Sequence, residues 1–426
     1  MYIRDQIYSS GMLIVLKILA LACVILPYFW FSGLSGNLNL GFMLILLIAM
    51  NFFFFIRIKN PLSVIFLISH FNYLILFIIY FLSIPFSYLE QQQERDIYDT
   101  VVLLDFVFYL ILGISLTRSN FDFSLFGRKL WMPNRAMYWL GVFCVILNLF
   151  AVFRYIGLPY MEYHDKHTIF SELGWMLCAL ALLFDKRIRV ISKKSVLLYL
   201  LMIMSIFFGA RLQVSFFIIA FLIRFILPAS KVYFYFCLAL VVCAGILVGI
   251  ARDMVGLDVS FESLFSTINQ GASLRTSAVY LMAVNEGFFT VGDRALSSAA
   301  TFVFAWLPSS IFDNVAHLNE RITQFSTIQG NGGFIGPYLF LFFGYYGSFL
   351  FITTMAYLIN KAIYRAPIFA AIIVSTSYRW QLYNILPVMK VMMVLLFLCC
   401  MFKVMKEISH SHKRQLNLTK EKLRNA

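Results

Sequence analysis

Charge is scarce in this chain: Asp, Glu, Lys and Arg together make up 13% of it. Soluble domains average about 25%, so an ordinary water-facing globule is excluded. Cysteines are few, seven in all, and all of them lie in apolar runs. They form no CxxC pair and no metal-ligand cluster, so they read as small buried hydrophobes. No DxD or HExxH occurs and the carboxylates are scattered, so no metal site is predicted. The apolar runs lack a strand-like alternation, which argues against an outer-membrane barrel. No repeat at a fixed period is present. The first apolar run also lacks the small-residue cleavage site of a signal peptide.

What the chain does have is apolar sequence. Hydrophobic residues make up 62%, phenylalanine alone occurs 47 times, and the mean hydropathy is +0.85. Runs near bilayer-crossing length recur throughout. The chain reads as an all-α polytopic membrane protein with about 12 transmembrane helices. The predicted spans cover roughly 11–31, 38–56, 61–87, 100–116, 136–153, 168–184, 195–210, 212–227, 232–250, 334–359, 366–380 and 383–402. Four regions follow: helices one to nine in 1–250, a long loop in 251–333, helices ten to twelve in 334–402, and a basic tail in 403–426. Within the loop, 295–311 is apolar enough to form a re-entrant or interfacial helix.

The net charge is +14. In a soluble protein that excess would raise nucleic acid as a partner. Here the positive-inside rule accounts for it, and no nucleic acid is expected. With both termini in the cytoplasm, roughly two-thirds of the basic residues fall in inner connections or the tail, while most acids fall outside. The tail is expected to contact anionic lipid heads.

Against that bias, several arginines lie on the outer side. Arg154, Arg211 and Arg379 sit at turns, and Arg252, Arg275 and Arg321 sit in or beside the long loop. Any one of them can snorkel to a lipid phosphate. Arg211, in FFGARLQVSFF, and Arg379, in STSYRWQLYN, resist that reading, because each occupies a minimal turn between apolar stretches. A guanidinium held there offers a fixed fork of donors suited to phosphate or diphosphate. Several around one cavity would bind a lipid diphosphate and stabilise it as a leaving group. Asp253 adjoins Arg252 and can orient or neutralise it.

A sugar transfer also needs a general base. Glu286, in AVNEGFF, and His317, in VAHLNER, are the candidates, with His317 equally readable as an ordinary loop residue. His164 and His167 are the other outer histidines, and His70, Asp105 and Glu172 lie within spans. Tyr280 and Tyr378 share the Arg275 and Arg379 motifs and complete the candidate substrate-binding set. The segment QGNGGFIGPYLFLFFGYYGSFL closes the loop, its glycines permitting a tight turn and close backbone approach.

Together, FFGAR at 207–211, the long loop with Arg252 and Arg275, and GNGGFIGPYLFLFFGYYGSFL resemble the Wzy-type O-antigen and polysaccharide repeat-unit polymerases. That resemblance implies a GT-C-like, metal-independent glycosyltransferase of the bacterial inner membrane that uses no cofactor. It implies transfer of a growing glycan from undecaprenyl diphosphate to a new lipid-linked unit at the periplasmic face. The implied partners are undecaprenyl-diphosphate-linked oligosaccharide, a chain-length regulator, a flippase of the same pathway and membrane lipids. Substrate handling maps onto Arg211, Arg252 and Arg275. The related O-antigen ligases share the plan and typically carry a histidine in the large loop, so ligation is the alternative. A lipid-linked oligosaccharide flippase is a third reading, since twelve spans with both ends inside also suit a transporter.

Overall fold

The most buried helix of the described structure is built from IFSELGWMLCALALLF. It is apolar all round, and a helix of that kind belongs at the centre of its neighbours. In the computed structural model every residue from Leu173 to Phe184 is buried. The structure describes residues 64–65, 68, 101, 123, 132–155, 167–253, 276–282, 333–340, 343, 350–351, 354, 357–358, 361, 365–382 and 386–424. These residues are helices and their connections, with no strand among them. The chain divides into two compact units, Asp122–Phe221 with Pro387–Ala426, and Met1–Phe121 with Leu222–Leu386.

The first of these units is a helical bundle. Helix α1 runs Asn134–Phe153, α2 Ile169–Phe184, α3 Lys193–Phe207 and α4 Arg211–Phe221. The central α2 packs against both α1 and α4. Trp175 of α2 lies 5.6 Å from the Phe217 ring of α4, and Tyr199 of α3 meets Phe217 edge-on at 6.3 Å. The α1–α2 seam is closed by small residues. A Cβ on Gly174 would stand 2.8 Å from a methyl of Val145, so the two backbones approach as closely as glycine allows.

The outward side of α1 is as apolar as its buried side. Trp139, Phe143 and Phe150 are all more than half exposed. Water would not tolerate that stripe on a monomeric surface, whereas lipid would. With 20 residues, α1 is about 30 Å long, one hydrocarbon thickness. Asn134–Phe153 and Val388–Ser409 are the two described helices long and apolar enough to cross a membrane.

Helix α5 runs Lys231–Asp253 in the other unit and packs against a π-helical segment, Leu222–Ile226. Helices α6, Pro367–Ser375, and α7, Ser377–Leu382, belong to the same unit. A single span over 366–380 is expected, but the helix breaks at Thr376. The hydroxyls of Ser375, Thr376 and Ser377 each donate to a carbonyl three or four residues back, at 3.2, 2.7 and 2.7 Å. Such back-bonding competes with the helical ladder and bends it. Helix α8, Leu386–Arg424, also departs from expectation. Instead of ending near 402 it runs without interruption for 39 residues. The tail lacks Gly and Pro and is rich in Lys, Glu, Arg and Leu, good helix formers.

Candidate functional site

The two ends of the α1–α4 bundle differ in chemistry. At one end the Asn134 amide donates to the Phe184 carbonyl at 3.3 Å, and the Tyr138 hydroxyl donates to the Lys194 carbonyl at 3.0 Å. Around these contacts stand exposed Arg135, Lys186, Arg187, Arg189 and Lys193. Lys194 lies 3.5 Å from buried Asp185 and over the Tyr138 ring.

Among the described residues, the other end carries the cations Arg154 and Arg211, with Glu172 in the first turn of α2. Here α3 turns into α4 through three residues, Phe208 to Ala210. Gly209 adopts φ 86, where a side chain would be strained. The Ala210 N–H donates to the Ser205 carbonyl at 2.8 Å, and the Gly209 N–H to Ile206 at 3.0 Å. This is the paired closure of a glycine-terminated helix. Ala210 at once accepts from the Val214 N–H at 3.0 Å, so Arg211 becomes the first residue of α4. No slack remains between the two helices.

That position is unusual for a cation. A helix N-terminus carries partial positive charge and unpaired N–H groups. The first turn of α4 holds no acid. The half-exposed Arg211 side chain makes no hydrogen bond or ion pair with another described residue. Guanidinium and helix terminus together make an electropositive corner suited to an oxyanion. Arg154, which caps α1, is exposed at the same end, since Phe153 lies 6.3 Å from the Phe208 ring. Exposed Phe153, Tyr155, Phe170 and Phe207 border it, as aromatic side chains do at a membrane–water boundary.

His167 and Asn148 hold this end together. The Asn148 carbonyl oxygen accepts both the backbone N–H and the hydroxyl of Thr168, each at 3.0 Å. Its amide nitrogen lies 3.0 Å from His167 Nδ1, and His167 Nε2 lies 2.8 Å from the Phe208 carbonyl. Sequence reading named His167 only as an outer histidine and missed Asn148. A polar Asn within an apolar span was the one available signal.

The other expected site residues belong to the second unit or fall outside the described residues. Arg252 and Asp253 fall in the last turn of α5. Tyr378 and Arg379 lie within α7, so Arg379 sits inside a short helix after a break rather than in a bare turn. Arg379 belongs to a different compact unit from Arg211. Arg275, Glu286, His317 and Arg321 lie outside the described residues, as do His70, Asp105 and the 295–311 segment.

Tyr280 is described, and it is buried. Its ring lies 6.0 Å from Tyr338, and a Cβ on Gly333 would stand 2.6 Å from its edge. Ser277 accepts from the Phe334 N–H at 2.8 Å, fixing the start of the following helix. The close backbone approach expected of the glycine-rich segment is thus realised at Gly333. Burial pushes the Tyr280 phenol above its ordinary range.

Among the described residues no three His, Cys, Asp or Glu side chains gather into a metal site. In comparisons with known proteins, no family model, curated protein or solved structure matches this chain.

Proposed function

We propose that this chain is a polysaccharide polymerase of the bacterial inner membrane, with about 12 transmembrane helices in a GT-C-like plan. It transfers a growing glycan from undecaprenyl diphosphate to a new lipid-linked repeat unit at the periplasmic face. A hydroxyl of the incoming unit attacks the anomeric carbon of the donor sugar. The bond from that carbon to the diphosphate oxygen breaks, and the hydroxyl proton passes to a base, Glu286 or His317. The leaving diphosphate gathers negative charge, and outer arginines stabilise it. No metal or cofactor takes part in this proposal.

The observation that carries the reading is Arg211. It is fixed at the first residue of α4, without an acidic partner in that turn, at the end of the bundle away from the basic belt. A basic corner bordered by aromatics suits a diphosphate headgroup whose lipid tail lies alongside the bundle. The resemblance of FFGAR and the glycine-rich segment to repeat-unit polymerases supplies the reaction class.

The test is made in cells lacking the native gene. Arg211→Ala should abolish long-chain glycan while leaving protein level and single-unit surface glycan intact. Unchanged long chains would sink the assignment. Long polymer accumulating on the carrier would instead point to a ligase, and movement of lipid-linked glycan across liposomes without lengthening to a flippase.

A further inference from the structure

The contacts around His167 fix its protonation state by elimination. The Thr168 backbone N–H can only donate, so the Asn148 carbonyl oxygen must face it. The Asn148 amide nitrogen therefore faces the ring, and it too can only donate. His167 Nδ1 must accept, which places the ring proton on Nε2. That proton is donated to the Phe208 carbonyl, which can only accept. Every ring nitrogen is matched, and the imidazole is neutral.

The acceptor it reaches is Phe208, the residue that caps the C-terminus of α3. A helix closed by a left-handed glycine leaves its last carbonyls without partners inside the helix. His167 supplies one to Phe208, which is followed by Gly209 at φ 86 and then by Ala210 and Arg211. Asn148 ties the same imidazole to α1 and to the start of α2. The turn is thus referenced to two other helices through one ring, three residues before Arg211.

We propose that His167, in its neutral Nε2-protonated form, is the positioning residue for Arg211. It sets the turn that aims the guanidinium at the diphosphate of a lipid-linked substrate. This rests on the lipid-diphosphate reading of the site. His167 itself touches no reacting atom.

The experiment measures binding of undecaprenyl diphosphate to the full-length protein in detergent micelles, with thermal melting in parallel. The variants are His167→Gln, His167→Asn, Arg211→Lys, Arg211→Ala and the His167→Asn/Arg211→Lys double. Gln can present an N–H near the place of Nε2, whereas Asn is too short. One hydrogen bond to a charged group is worth roughly tenfold in affinity. His167→Asn should therefore weaken binding roughly tenfold, and His167→Gln should stay close to wild type. In the Arg211→Lys background His167→Asn should add little, because both act through one contact. Gly209→Ala strains the same turn without touching His167, and should weaken binding likewise. It carries the test if His167→Asn does not fold.

Wild-type binding by His167→Asn or by Gly209→Ala, with Arg211→Lys impaired, overturns the positioning role and leaves the diphosphate reading standing. So does a His167→Asn loss that is equally large in both backgrounds. Wild-type binding by Arg211→Lys and Arg211→Ala overturns the diphosphate reading, and the positioning role with it.

Discussion

Gly141 of α1 lies directly against Cys178 of α2: a Cβ built on the glycine would stand 2.9 Å from the Cys178 sulfur and 3.0 Å from its backbone nitrogen. The neighbouring backbone cannot swing aside as a flexible side chain could. Gly141→Ala should therefore push α1 and α2 apart. Ala improves helix propensity by at most about 1 kcal/mol, while overpacking costs about 1–3 kcal/mol, so the clash wins. The expected outcome is a lower melting temperature in detergent. An unchanged melting temperature would show that the seam has room.

At Gly333 the partner is the Tyr280 ring, 2.6 Å from the place of a Cβ. Tyr280 is buried and cannot turn outward cheaply. Gly333→Ala should cost about 1–3 kcal/mol by overpacking. Combining it with Tyr280→Leu should recover part of the loss, since the two positions share one contact. Thermal melting of both single variants and the double checks this, and strict additivity would contradict it.

Burial raises the Tyr280 phenol above its ordinary value. In the unfolded chain the phenol ionises near pH 10, at about the unperturbed value. The folded state holds the proton longer, so unfolding releases it in base. The stability contribution is full below about pH 10 and is lost as pH rises through the raised folded value. Tyr280→Phe should flatten the alkaline fall in stability, measured by melting across pH. An identical alkaline profile in the variant would contradict the assignment.

Asp185 ends α2 at the basic end of the bundle. One carboxylate oxygen accepts from the Arg187 N–H at 3.0 Å, and the other lies 3.5 Å from Lys194. Asp185→Ala removes both contacts and leaves the N–H of exposed Arg187 without its carboxylate acceptor, at a cost of about 0.5–1.5 kcal/mol. Asp185→Asn keeps an acceptor for the N–H and should cost less. Equal losses in the two variants would place the stability in the ion pair alone.

The helices of the bundle were largely legible in the sequence. The expected span 168–184 and the observed Ile169–Phe184 nearly coincide, because the apolar run begins and ends at polar residues. The break at Thr376 was not legible, since three hydroxyl residues at a span's end count as neutral in any hydropathy sum. The length of α8 was missed for the opposite reason. Its apolar stretch ends near residue 402, but nothing beyond that point stops a helix. Arg211 stood out because it interrupts apolar sequence at a minimal turn. His167 did not, because its partners Asn148 and Phe208 lie 19 and 41 residues away. Only packing brings such partners together.

The central claim is that the Arg211 corner serves glycan chain extension on a lipid diphosphate. The most direct measurement incubates purified protein with synthetic undecaprenyl-diphosphate-linked repeat units and resolves the products by length. The account predicts a ladder of lengthened glycans from the wild-type protein and only single units from Arg211→Ala. A full ladder from Arg211→Ala, or no lengthening by the wild-type protein, would contradict it.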